Sequence, residues 1–272
     1  MSEKFTVFGA DGFVGRRLVS RLLRDGHSVT SVGRGDEIDL KSVDLGHVMY
    51  CVGVTGSRFK TEQFKVVDAH VSSMARLLEF GRFSSFLYMS SARVYEESFT
   101  DTSESARFSV DPSTISDFYN LSKLMGESLI LNAGQQTSRI ARISYAVDFT
   151  EDSTDNVTMF IRSALSGSVR FEADKQSVKD YVVMDDVLDM LPTIALQGRS
   201  RIYNVAGGVN VSTREIANLL SEETGCTVEF IGGEPVRRPK VVDVSRLTSE
   251  FSYRPSSLLE YARRVIKKEL AR

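Results

Sequence analysis

The stretch FTVFGADGFVG (5–15) constrains this chain more than any other. A short apolar run leads straight into Gly9, Gly12 and Gly15, and those glycines open a segment in which Val14, Leu18 and Leu22 recur at helical spacing beside Val19 and Leu23. Asp25-Gly26 ends that helix, and the pattern restarts. HSVTSVG (27–33), HVMYCVGV (47–54) and FLYMSS (86–91) read as further strands, and VDAHVSSMARLLEFG (67–81) reads as a helix before the last of them. SRIARISYAV (138–147) reads as one strand after the helix that carries FYNLSKLMGESLILNAG (118–134). Strands separated by helices predict a parallel sheet covered on both faces, the doubly wound, Rossmann-like α/β class.

After about residue 148 the rhythm changes to amphipathic helices with short strands such as RIYNVA between them. No linker or repeat marks a boundary. The expected organisation is a dinucleotide-binding domain over 1–148, rejoined by 178–208, with a smaller, mostly helical substrate lobe from 149–177 and 209–272. The formal charge of −2 and pI near 6.0 argue against nucleic-acid or anionic-membrane partners. Cys51 and Cys226 are too few for a disulfide framework, and His27, His47 and His70 have no metal-ligand spacing. The N-terminus lacks a signal-peptide pattern and no apolar run is long enough for a membrane span, so a cytoplasmic protein is expected.

A glycine turn between strand and helix lets backbone approach a pyrophosphate at a helix N-terminus, so Gly9, Asp11, Gly12, Phe13, Val14 and Gly15 are candidate cofactor contacts. A carboxylate at the end of the second strand would bind the ribose of NAD and repel the extra phosphate of NADP. The sequence has Gly33-Arg34 there, which favours NADP(H) over NAD(H). Tyr119 and Lys123 lie one helical turn apart, and Ser91 ends a strand where a parallel sheet presents residues to its ligand crevice. A phenol with a pKa of about 10 is a poor acid or base at neutral pH until a neighbouring ammonium lowers it.

In order along the chain, GADGFVG, SSARVY, YNLSK, KDYVVMDDV (179–187) and YNVAGGVNVS (203–212) resemble the signatures of the extended short-chain dehydrogenases/reductases that act on nucleotide-activated sugars. The resemblance covers nearly the whole chain. It implies Tyr119 as general acid/base, Lys123 as its tuner and ribose contact, and Ser91 as the group holding the reacting oxygen. It carries Asp39 and Leu40 onto an adenine-contacting position after the third strand. It also carries Asn156 and Arg237 or Arg238 onto contacts with the sugar nucleotide's diphosphate. A homodimer through the helices near 70–80 and 119–131 is a further implication, with burial of those helices against the sheet as the alternative.

Departures from the family pattern narrow the chemistry. Ala92 and Arg93 stand where 4,6-dehydratases of the family carry an acidic pair, and no Cys or His falls between Tyr119 and Cys226 to serve as an extra epimerising base. The family's asparagine after the fifth strand is Tyr145, and the glycine of its VYG motif is Glu96. Arg93 and Tyr145 are thus candidate substrate contacts. The expected function is reduction at C4 of a nucleotide-diphospho 4-keto-6-deoxyhexose, with a 4-epimerase holding NAD tightly as one alternative and a non-catalytic NADP-binding regulator as another. Surface-polysaccharide or deoxysugar synthesis is the context the resemblance implies.

Overall fold

The computed structural model describes residues 2–54, 56–96, 100–232 and 236–272. The chain forms two compact units. The first comprises residues 1–94, 108–142 and 188–203, and the second comprises 95–107, 143–187 and 204–272.

The opening motif folds as β1 (Lys4–Phe8), the glycine turn and α1 (Phe13–Arg24). Then come β2 (Ser28–Val32), β3 (His47–Tyr50), α2 (Gln63–Val67), α3 (Ser73–Phe80), β4 (Ser85–Ser91) and α4 (Ile115–Asn132). The stretch expected as one helix over 67–81 is interrupted by a π-type turn, Asp68–Ser72, which carries one extra residue into the helix and pushes His70 inward to full burial.

The run SRIARISYAV is two strands rather than one. β5 (Ser138–Ile143) is buried along nearly its full length, whereas β6 (Tyr145–Val147) leaves that sheet and pairs in parallel with another strand at Tyr181–Val183. The change of partner at Ser144 accounts for the break, and residue spacing alone carries no sign of it.

The main sheet has the order β2-β1-β3-β4-β5-β9, where β9 is Ile202–Val205. β1 pairs in parallel with both β2 and β3, and β3 pairs in parallel with β4. The order reverses between β1 and β3, so their carboxyl ends bound the crevice where doubly wound sheets take ligands. Residues 39 and 40 precede β3 instead of following a third strand. The core behind this sheet includes Phe8, Val48, Tyr50, Met74, Leu77, Phe86, Tyr88 and Ile140.

In the second unit, α5 (Asn156–Leu165) is followed by β7 (Ser168–Phe171) and β8 (Val178–Val183). α6 (Met184–Gln197) begins in the second unit and belongs to the first from Leu188 onward. β10 (Asn210–Ser212), α7 (Thr213–Thr224), β11 (Thr227–Phe230), α8 (Ser245–Phe251) and α9 (Leu258–Leu270) complete the chain. β10-β8-β6 and β11-β7 form two small sheets, and Val157, Ile161, Phe171, Leu220, Leu258 and Ile266 fill the core there.

Two of the sequence motifs prove to be scaffolding for this unit. Asp180 of KDYVV accepts the Gly207 N–H of YNVAGG at 2.7 Å, and burial pushes its carboxyl up to about 6. Asn204 is fully buried: its Oδ1 accepts from Tyr95 Oη (2.9 Å), and its Nδ2 donates to the carbonyls of Thr102 (2.9 Å) and Asp243 (2.8 Å). One asparagine therefore anchors the excursion 95–107.

Candidate active site

At the glycine turn, Gly9 has φ +78 and a Cβ there would lie 2.9 Å from the Cys51 carbonyl carbon. A Cβ at Gly15 would lie 2.1 Å from the Gly9 oxygen, so α1 can press on the turn only with glycine at both places. The Gly9 and Ala10 amides donate to Val32 O, which ties the turn to β2. α1 begins after Gly12, which has no side chain to cap it, leaving first-turn N–H groups available to an anion. A pyrophosphate fits this cradle. Val14 is buried, and the Phe13 ring lies 4.2 Å from the Arg17 guanidinium.

The end of β2 differs from the expectation. The sequence places no carboxylate at the strand's last positions, yet the fold brings two there: Asp11 Oδ2 accepts the Arg34 N–H at 3.0 Å, and Asp36 Oδ2 accepts the Gly33 N–H at 2.7 Å. A Cβ on Gly33 would meet Asp11 at 2.3 Å. Arg34 is exposed, so one guanidinium stands against two fixed carboxylates. The premise behind the NADP(H) expectation, a strand end without anions, does not hold. Asp39 closes a local turn with Ser42 and Lys41, and Leu40 packs partly against the main core.

Thr114 caps α4, and Gly126 lets that helix approach the sheet, since a Cβ there would meet Tyr88 Oη and His70 O within 2.7 Å. Tyr119, Lys123 and Glu127 follow one another at intervals of four on its buried face. Lys123 Nζ donates to Met89 O at 2.9 Å and lies 5.1 Å from the Tyr88 ring. Met89 sits two residues before Ser91, so β4 places the ammonium beside the strand end that carries the serine. The half-buried Ser91 Oγ accepts the Arg93 N–H at 3.2 Å. The Tyr119 ring packs with Phe59 (5.4 Å) and His70 (5.5 Å), and the Arg93 guanidinium lies 5.3 Å from it. Ser91, Tyr119, Lys123 and Arg93 are thereby gathered in the first unit.

Burial pulls the Lys123 ammonium down to about 7, with Glu127 and Cys51 opposing the fall. The unfolded chain keeps this proton up to lysine's ordinary 10.5, while the folded chain releases it near 7. Between those values the unfolded state binds more protons, so the contribution of this group makes stability rise with pH. Thermal melts at pH 7 and pH 9 are expected to show that rise in the native chain and a smaller one in Lys123→Met; an identical pH response in both would refute the assignment.

The second unit holds the other candidate substrate residues. Tyr145 Oη donates to Glu96 Oε1 at 2.8 Å, so the two departures from the family motifs bond to each other, with Lys179 Nζ 4.9 Å from the Tyr145 ring. Asn156 is the exposed first residue of α5, beside its cap Asp155. Arg238 bonds to Gln176, while the backbone N–H of Arg237 donates to Ser177 Oγ at 3.0 Å. Both arginines are exposed.

Spacing arguments missed His70, Glu127 and Arg142. Glu127 accepts from Ser90 Oγ (2.5 Å) and from Arg142 Nε (2.9 Å) and Nη2 (2.6 Å) beneath the site. The available signal was a polar residue inside an apolar helical stripe. On the helices considered for self-association, Phe80, Met125 and Leu131 are exposed. No helix among the described residues is long and apolar enough to cross a membrane.

Residues 5–206 match the model of the NAD dependent epimerase/dehydratase family. A dTDP-glucose 4,6-dehydratase of Streptomyces griseus is 27% identical over 106 residues, a match spanning 37% of this chain and 32% of that enzyme. UDP-glucuronic acid 4-epimerase from Bacillus cereus, solved with UDP-glucuronic acid and NAD, superposes with a TM-score of 0.78 at 20% identity over 97% of this chain and 99% of its own. RMD from Pseudomonas aeruginosa, complexed with NADPH, gives 0.77 at 20% identity over 97% and 98%. At that identity these two structures establish the fold.

Proposed function

The chain belongs to the NAD dependent epimerase/dehydratase family of enzymes, and we propose that it catalyses hydride transfer at C4 of a nucleotide-diphospho hexose, most simply as a reductase of a 4-keto-6-deoxy sugar. The observation that carries this reading is the buried pair Tyr119 and Lys123 on one face of α4, with Lys123 tied to the end of β4 beside Ser91. A nicotinamide dinucleotide, its pyrophosphate at the glycine turn, would supply the hydride when bound. Tyr119 Oη gives the proton to the sugar oxygen, Ser91 Oγ orients that oxygen, and the Lys123 ammonium stabilises the phenolate left behind. Ala92 and Arg93, in place of an acidic pair, argue against the elimination of water that a 4,6-dehydratase performs. Glu96 and Tyr145, as a bonded pair, are proposed substrate contacts, together with Asn156, Arg237 and Arg238.

For the cofactor, the two carboxylates at the end of β2 support NAD(H) over NADP(H), because a 2′-phosphate brought there would face both Asp11 and Asp36. Fluorescence titration is expected to give NADH a lower Kd than NADPH by about tenfold, equivalent to about 1.4 kcal/mol. Asp11→Asn is expected to narrow that ratio and Arg34→Ala to widen it. Tighter NADPH binding by the native chain would overturn the preference, and binding of neither would overturn the enzymatic reading. The same carboxylates favour a second reading, a 4-epimerase with retained NAD. Dinucleotide remaining after desalting would select it, and turnover of a 4-keto sugar nucleotide with added NADH would select the reductase.

A further inference from the structure

We infer that His70 is a positioning residue for Tyr119, a neutral strut that joins the backbone after β3 to the catalytic turn of α4; the inference rests on the role of Tyr119 proposed above. The imidazole is fully buried in the π-type turn and both ring nitrogens have partners. Nε2 lies 3.3 Å from the Val54 N–H, which can only donate, so Nε2 is the acceptor. At the other side, Nδ1 lies 2.8 Å from Ser122 Oγ, and that hydroxyl gives its single proton to Tyr119 O at 2.7 Å. Nδ1 must therefore donate. The two ends, read independently, give one tautomer, Nδ1–H.

This arrangement leaves the ring no proton to relay. Burial, reinforced by Lys123, pulls its pKa down to about 2, in keeping with a neutral strut. The titratable and charged groups facing His70 and its backbone are Tyr119 and Lys123 of α4 and Tyr88 of β4, while Tyr50 at the end of β3 donates to the preceding carbonyl, Ala69 O, at 2.7 Å. The His70 and Tyr119 rings meet edge-on at 84°. At Gly53 a Cβ would sit 3.2 Å from His70 Nε2 and 3.7 Å from Lys123 Nζ, so the backbone after β3 closes directly over ring and ammonium. Because Cys51 in that same stretch abuts Gly9 of the glycine turn, one side chain links the cofactor cradle to the helix turn that aims the phenol.

The test reads the phenol without needing a substrate. The ultraviolet phenolate titration of Tyr119 is obtained as the difference between each protein and its Tyr119→Phe counterpart, in the full chain, with and without NAD⁺. His70→Phe keeps an aromatic ring and loses both bonds, and is expected to move the Tyr119 midpoint by about one pH unit. Ser122→Ala, which cuts the same link, is expected to move it in the same direction, and His70→Asn, which keeps an N–H near the place of Nδ1, to restore part of the shift. An unchanged midpoint in both His70→Phe and Ser122→Ala, accompanied only by a lower melting temperature, would reduce His70 to core packing. Failure of the native chain to bind NAD⁺ would instead refute the proposed function, while the titration of the free protein would still decide the role of His70.

Discussion

Tyr119→Phe is expected to lower turnover by about 10²–10⁴-fold, the usual contribution of a positioned general acid. The substitution removes only the hydroxyl. The ring stays in the cluster of Val54, Phe59, Val66 and Ala69 and keeps its edge contact with His70, so folding and dinucleotide affinity should be nearly unchanged. A loss of turnover at constant Kd for NADH, measured on the sugar nucleotide found by screening, separates a role in the transition state from a role in binding. Turnover within tenfold of the native chain would remove Tyr119 from the chemistry and leave water or another side chain to protonate the sugar oxygen.

Arg142→Met should destabilise the chain by about 3–5 kcal/mol, the cost of leaving a buried charge without its partner. Only 3% of the Arg142 side chain and 4% of the Glu127 side chain are accessible, and the two are joined through both carboxylate oxygens. Removing the guanidinium leaves the carboxylate with the Ser90 hydroxyl as a donor, too little to replace hydration. The double variant Arg142→Met/Glu127→Leu is expected to recover most of the loss, because two apolar side chains no longer require charge compensation. Urea unfolding of the native chain and the two variants gives the comparison. A single-variant loss below about 1 kcal/mol, the range of exposed ion pairs, would contradict the burial of this pair.

The placement of this pair bears on the site as well. Glu127 stands one helical turn beyond Lys123 and opposes the fall in that ammonium's pKa, while Arg142 from β5 satisfies the carboxylate. Burial decides the direction of the Lys123 shift, and the carboxylate limits it.

What the sequence by itself determined is whatever depends on neighbours in the chain. The strand, turn and helix at 4–24 follow from residues within a few positions of one another, as does the shared face of Tyr119 and Lys123. Ser91 could be placed at a strand end for the same reason. At the end of β2, Asp36 is a chain neighbour of Gly33, but only the tertiary structure brought Asp11 to Arg34 across 23 positions, by way of a turn with Gly9 at positive φ. It alone brought His70 to Ser122 across 52 positions, Asn204 to Tyr95 across 109, and split 138–147 between two sheets. Periodicity records which side of an element is buried, whereas the partner met there is set by strand order and by turns that spacing does not encode.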